Sequence, residues 1–361
     1  MTRTAERVKL RDSSRRLLHV ARPSPAELLR EAAAWCEEHG VSWDSYGSGA
    51  VIQELEARVA ALLGYPAARF LPSGTMAQSI ALRVWCDRAG RRTFGMHPTA
   101  HVELHEERGY SHLHGLHGRL VGPRDRPLLA PHLEAVAEPL GAVLTELPIR
   151  EAGGQLPSWE ELEALKRATA DRGVPLHLDG ARLWCCGAAY DRPLDAITSG
   201  FASTYVSFYK SVGALPGAML LGPADFVAEA AVWQRRMGGN LHSLLPSAVT
   251  ATMRLDATLQ SMPGRLAGAR AVAAAMADLP GLRGFPDPPH TPLFHVLIER
   301  DRSAAYAARD HVAREHGVWL FSGLSEGPLP GTSRWEITIE RSLGTIDLPA
   351  LGAALATFAE G

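Results

Sequence analysis

The sequence predicts an α/β protein: a large domain built on a mostly parallel sheet, followed by a small C-terminal α+β domain. Three observations predict it. From Ala67 onward, short apolar runs alternate with longer stretches of helical spacing, which is the order of a sheet covered on both faces. The runs PLHLDGARLW, STYVSFYK and AMLLG are apolar almost throughout, as strands buried on both sides should be. A proline-rich break, PDPPHTP, then precedes a tail in which strand-like and helix-like segments are short and mixed.

Taken in order, an arginine-rich leader is followed by two helices, SPAELLREAAAWCEE and IQELEARVAALL, with the turn DSYGSG between them. ARFL then leads through the turn PSGT into the helix MAQSIALRVWCDRAG. GAVLTEL precedes a helix in SWEELEALKRATADRG, and the three buried runs follow. A helical stretch from about Asp225 to Met262 comes next. The tail holds FHVLIER, a helix near 303–316, WLF, RWEITIER and a final helix near 347–359. The expected division is an arm and helix over 1–42, a large domain over 43–260 and a small domain over 261–361.

The chain has 361 residues, 46% hydrophobic and 21% charged, with a net charge of -2. These values fit a globular enzyme-sized protein and leave no basic surplus for nucleic acid. The leader lacks the apolar core of a signal peptide, and no run reaches membrane-spanning length, so a soluble cytoplasmic protein with no membrane partner is expected. Cys36, Cys86, Cys185 and Cys186 form no CxxC pair and read as reduced, mostly buried thiols.

Only three of the 37 basic residues are lysines: Lys9, Lys166 and Lys210. Lys9 lies in the polar leader. Lys166 sits among charged neighbours on its helix and is expected to be solvated. Lys210 ends the β-branched and aromatic run STYVSFYK, just before a Gly/Pro turn. An amine desolvated there has a lowered pKa and becomes nucleophilic. Its natural use is an imine with a carbonyl cofactor. In LHLDGARLW an apolar strand delivers Asp179 to its carboxyl end, where α/β sheets bind ligands, and Arg182 follows three residues later. Asp179 would hold a pyridinium nitrogen protonated; the structural alternative is a helix-capping Asp with an Arg on its flank. In RFLPSGTMAQSIAL the hydroxyls of Ser73 and Thr75, the amides around Gly74 and the helix N-terminus would make a phosphate cup. In THVELHEERG, His101 and His105 stand one helical turn apart. They suit a metal site, a polar loop, or a single imidazole, His101, stacked on a cofactor ring.

In chain order, PSGTMAQ, AHVELHE, HLDGARL, FYKSVGALPGAMLLG, QRRMGGN and RWEITIERSLGTID resemble the threonine aldolase / β-eliminating lyase family of pyridoxal phosphate (PLP) enzymes, fold type I. The likeness runs from about Trp43 to Leu351. It implies that Lys210 binds the cofactor covalently, that Asp179 faces the ring nitrogen, that His101 stacks on the ring and that Gly74 and Thr75 hold the phosphate. It further implies that Arg182 and Arg334 grip the substrate carboxylate, that Tyr46 lies by the substrate and reaches a neighbouring subunit, and that His242 stands where the family's arginine binds a partner's coenzyme phosphate, in a homodimer or homotetramer with shared active sites. No resident metal is expected.

The implied reaction is cleavage of an L-β-hydroxy-α-amino acid to glycine and an aldehyde. Alternatives are β-elimination or transamination and, from another class, a metal-dependent hydrolase using His101 and His105. Three departures from the family pattern bear on the substrate. RRLLHVARPS replaces a Ser–Asp–Thr stretch, Ile149 and Arg150 stand where the family has a histidine, and GGNLHS replaces a segment ending Met–Arg–Gln.

Overall fold

The computed structural model describes residues 3–20 and 23–361; residues 1, 2, 21 and 22 of the expected N-terminal arm lie outside the described residues. The chain divides into two compact units. The larger holds 23–152 and 156–260, and the smaller holds the N-terminal segment, 153–155 and 261–361.

The large unit is built on seven strands: β1 Ala67–Leu71, β2 Thr93–Met96, β3 His117–Leu120, β4 Val143–Glu146, β5 Leu176–Gly180, β6 Ser203–Ser207 and β7 Ala218–Gly222. Their order in the sheet is β1-β7-β6-β5-β4-β2-β3. β4, β5, β6 and β7 are buried along their whole length, whereas edge strand β3 is largely exposed, which matches the apolar runs of the sequence.

Only β7 runs against the others, pairing antiparallel with both β6 and β1. The reason is the connection. A parallel crossover needs a dozen or more residues, usually a helix. Between Ser207 and Ala218 the chain makes only a tight turn, with Gly213 at φ 70° donating its N–H to the Lys210 carbonyl at 3.2 Å. The return is therefore antiparallel, and Lys210 is held at the carboxyl end of β6.

Helix Gly74–Arg88 follows β1. Ser73 caps it, its Oγ accepting the Met76 N–H at 3.3 Å. A buried polar chain fixes this helix to the sheet: Trp85 Nε1 donates to Ser203 Oγ at 2.8 Å, Ser203 Oγ lies 2.7 Å from His177 Nδ1, and His177 Nε2 lies 2.8 Å from Gln78 Oε1. Burial pushes the His177 pKa down to about 3, so the ring joins this chain as a neutral bridge.

Lys166 departs from expectation: it is buried, not solvated. Its Nζ donates to Ile197 O at 3.0 Å and Glu163 Oε1 at 2.9 Å and lies over the rings of Trp159 and Phe201. Three of the four cysteines are buried and all are free.

The small unit carries an antiparallel sheet, β10-β11-β9-β8, of β8 Leu282–Phe285, β9 Leu293–Ile298, β10 Ser325–Glu326 and β11 Ser333–Thr338. Helices Arg302–His316 and Leu348–Glu360 cover it around a core that includes Phe294, Phe321, Trp335 and Phe358. WLF is buried but forms no strand ladder; the residue before it, Val318, makes a single bridge to Arg15. The helical stretch expected over 225–262 is two helices, Ala224–Arg236 and Leu245–Ala274, parted by the glycine-bearing segment that contains His242. Among the described residues no helix is long and apolar enough to cross a membrane.

Candidate active site

Side chains at paired positions on neighbouring parallel strands point to one face of the sheet. The register pairs Glu146 with Asp179 and Asp179 with Tyr205, so β4, β5 and β6 present these three groups side by side at their carboxyl ends. Asp179 is 3% exposed and its Oδ1 accepts the Ala181 N–H at 3.0 Å. This local bond turns the carboxylate and starts the bend after Gly180, where an added Cβ would lie 2.6 Å from the Tyr205 carbonyl.

Lys210 is brought to the same place. Burial lowers its pKa, the Asp179 charge opposes that shift, Arg182 adds to it, and Glu146 and Arg150 act in opposite senses. The amine therefore lies in a field made by Asp179, Arg182, Glu146 and Arg150, all from the large unit. Glu146 is the residue that sequence reasoning missed. Burial and the neighbouring Asp179 push its pKa up to about 8, against the pull of the Arg150 N–H, which donates to Glu146 Oε1 at 3.2 Å, and of Arg182 and Lys210. Its signal was the position of TEL one strand from LDG, which only the strand order reveals.

Gly74 opens the helix over this face. An added Cβ would stand 2.1 Å from Tyr205 Oη, so only glycine lets the helix start this close to β6. Ser73 serves the Met76 amide with its side chain and the Ala77 amide, at 3.2 Å, with its carbonyl. The amides of Gly74 and Thr75 precede these and have no partner within the helix, the arrangement that receives an anion. For Gly74→Ala we expect the forced movement of Tyr205 to cost about 1–3 kcal/mol of stability and to weaken phosphate-ester uptake. Thermal melts with and without inorganic phosphate check this; a variant equal to wild type in both would refute the crowding.

The remaining predicted residues are held by partners of their own. His101 opens a four-residue helix, His101–Leu104, with Nδ1 2.8 Å from Glu106 Oε1, and its ring lies 5.1 Å from that of His105. His105 caps this helix and bonds Glu151 at 3.0 Å, so each imidazole has its own carboxylate. Among the described residues no three His, Cys, Asp or Glu side chains are grouped to hold a metal. Tyr46 and His242 come together in an exposed cluster. Tyr46 N–H donates to the His242 carbonyl at 2.9 Å, the rings meet edge to face at 5.4 Å, and Tyr46 has φ 52°. Asp44 holds this turn by accepting the Leu244 and Leu245 N–H groups, each at 3.1 Å. Arg334 lies on β11 of the small unit, its Nε 3.3 Å from Ser325 Oγ.

A lysine of lowered pKa, a carboxylate one strand away and a helix N-terminus on the same face are the groups a PLP enzyme needs. Comparison with known proteins agrees. The β-eliminating lyase family model matches residues 41–299. The chain belongs to that family. This lyase-family chain is 26% identical to low-specificity L-threonine aldolase 1 of Arabidopsis thaliana over 335 residues, 90% of each chain. It is 30% identical to the low specificity L-threonine aldolase of Escherichia coli K12 over 227 residues, covering 62% of this chain and 66% of the relative. A Listeria monocytogenes structure bearing the name of an L-allo-threonine aldolase superposes with a TM-score of 0.92 at 34% identity, covering 97% of this chain and 98% of that one. A structure named SPT that holds PLP shares the fold at TM-score 0.69 and 16% identity. The architecture is thus fold type I, and the lyases it matches give the metal-dependent hydrolase alternative no support.

Proposed function

We propose that the chain binds pyridoxal phosphate and cleaves an L-β-hydroxy-α-amino acid between Cα and Cβ, giving glycine and an aldehyde. The observation that carries this reading is the half-buried amine of Lys210 just beyond β6, its pKa lowered by desolvation in the field of Asp179 on β5. The family and the names of its relatives support it.

When bound, the coenzyme supplies an aldehyde to take up an amine and an electron-poor ring to store the pair released as the C–C bond breaks. The protein's own groups do the rest. The Lys210 amine, its pKa lowered by burial, would be the group that holds that aldehyde and a group able to carry a proton. Asp179 supplies the negative charge that keeps a ring nitrogen protonated. The amides of Gly74 and Thr75, with the Ser73 and Thr75 hydroxyls, would hold the phosphate, and the resemblance assigns His101 to the ring. The planar guanidinium of Arg182, within the same field, suits a carboxylate. Arg334 is assigned as a second carboxylate grip on the resemblance alone.

The assembly we propose is a homo-oligomer with shared sites. Trp43 is 79% exposed and Tyr46 53% exposed beside His242, an aromatic surface suited to a second copy. The free thiols fit a reducing cytoplasm.

Incubating the PLP-loaded protein with L-threonine, L-allo-threonine and phenylserine is expected to yield glycine and the matching aldehyde. Ammonia and a keto acid in their place would show elimination and overturn the aldol reading.

A further inference from the structure

Two carboxyl groups lie side by side in the proposed coenzyme site, and a PLP ring nitrogen requires only one negative charge. Glu146 ends β4 in register with Asp179, is 8% exposed, and shares its face of the sheet. The charged groups that face it are Asp179 on β5, Arg182 just beyond it and Lys210 beyond β6; the Arg150 N–H, from the turn after β4, binds its Oε1 at 3.2 Å. β2, its other neighbouring strand, pairs Gly95 and Met96 with Val143 and Leu144, below the level of Glu146, and the next residue, His97, is buried with its Nε2 2.9 Å from the Arg126 carbonyl. Asp179 likewise has one backbone N–H, that of Ala181, on Oδ1 at 3.0 Å and lies in the field of Lys210.

Two anions this close in a buried site cannot both be cheaply ionised, and with Asp179 as the group that faces the ring nitrogen, Glu146 is the one that keeps its proton. We propose that Glu146 is a positioning residue that works as an uncharged acid: by keeping its own proton it leaves the negative charge of the pair on Asp179, facing the ring nitrogen. Its elevated pKa, caused by burial and by Asp179, agrees with this geometry. The proposal rests on the reading of Lys210 and Asp179 as coenzyme-binding groups and adds to it a defined protonation state. Its consequence is directional. Raising the pH through the Glu146 transition adds a second negative charge beside Asp179 and close to an anionic coenzyme, and so weakens coenzyme binding.

The test is a titration of the full-length protein with pyridoxal phosphate from pH 6 to 9.5, read by visible absorbance. Wild type is compared with Glu146→Gln, an uncharged mimic of the protonated form. At pH 7 the variant is expected to bind within about threefold of wild type. The ratio of wild-type to variant dissociation constants should then rise by about tenfold or more in a step that begins near pH 8. Without coenzyme, the variant's melting temperature should gain on wild type as pH rises toward about 8 and level off above it, because the unfolded chain ionises Glu146 near its ordinary value of 4.5 while the folded wild type must keep it protonated up to about 8.

A folded Glu146→Gln protein that binds more than tenfold weaker at pH 7 would show that the carboxylate itself is needed, and a flat ratio across the range would equally overturn the proposal. Should Glu146→Gln not fold, Glu146→Met, uncharged and of similar volume, takes its place under the same criteria. Failure of wild type to take up the coenzyme at any pH would overturn the site reading together with this inference, whereas a flat ratio with normal wild-type uptake removes only the role of Glu146.

Discussion

Lys210→Ala is expected to abolish covalent coenzyme attachment and to lower turnover on the order of a thousandfold or more, because no other described lysine can substitute. Lys166 is held by Ile197 O, Glu163 and two aromatic rings, and Lys9 is exposed on the N-terminal helix of the small unit. The fold should survive, since burial acts against the charged amine and its removal relieves that cost. Borohydride reduction followed by peptide mapping should mark residue 210 in wild type and nothing in the variant, with similar melting curves for both. The same burial sets a pH dependence. The neutral amine is reached below the ordinary lysine value of 10.5, so the rate of coenzyme attachment should rise with pH along a curve whose midpoint lies below that value. Retention of the covalent chromophore in Lys210→Ala would end the assignment.

Asp179→Asn should separate binding from chemistry. The amide oxygen can still accept the Ala181 N–H that Asp179 Oδ1 takes at 3.0 Å, so the bend after β5 should be kept. What disappears is the negative charge that stabilises a protonated ring nitrogen. Turnover is expected to fall by about a hundredfold or more while the coenzyme remains attached through Lys210, because the loss falls on the step in which the ring stores an electron pair. Steady-state kinetics beside the visible spectrum provide the check, and a variant with full turnover would remove Asp179 from the reaction. With Asp179 uncharged, the main electrostatic neighbour that raises the Glu146 pKa is also gone, so the transition near pH 8 should move down in this variant.

The two lysines show how far residue types alone could carry the reading. Rarity of lysine drew attention to Lys210, and its place after an apolar run and before a Gly/Pro turn correctly located it at the end of a buried strand. The same logic assigned Lys166 to solvent because its sequence neighbours are charged. A helix turns its residues through 100° each, so charged neighbours do not say which face a given side chain takes. Lys166 faces inward, where Ile197 O and two rings receive it.

The histidine-rich segment had three open readings because helical spacing there is cut short. The helix ends at Leu104, His105 is its cap, and the two imidazoles take separate carboxylates, Glu106 and Glu151, the second of which lies 46 positions further along the chain than His105.

The sequence by itself determined the alternation of strand and helix, the buried character of the central strands, and the chemistry of LDGAR, YK and PSGT, since each is a local matter of periodicity, side-chain type and turn geometry. Strand order was decided only by tertiary structure. Nothing local says that β4 lies beside β5, that a short turn sends β7 back antiparallel, or that Tyr205 reaches Gly74, because pairing depends on which distant surfaces bury each other best. Glu146 became a part of the site, and acquired its elevated pKa, only when that pairing placed it against Asp179 away from water.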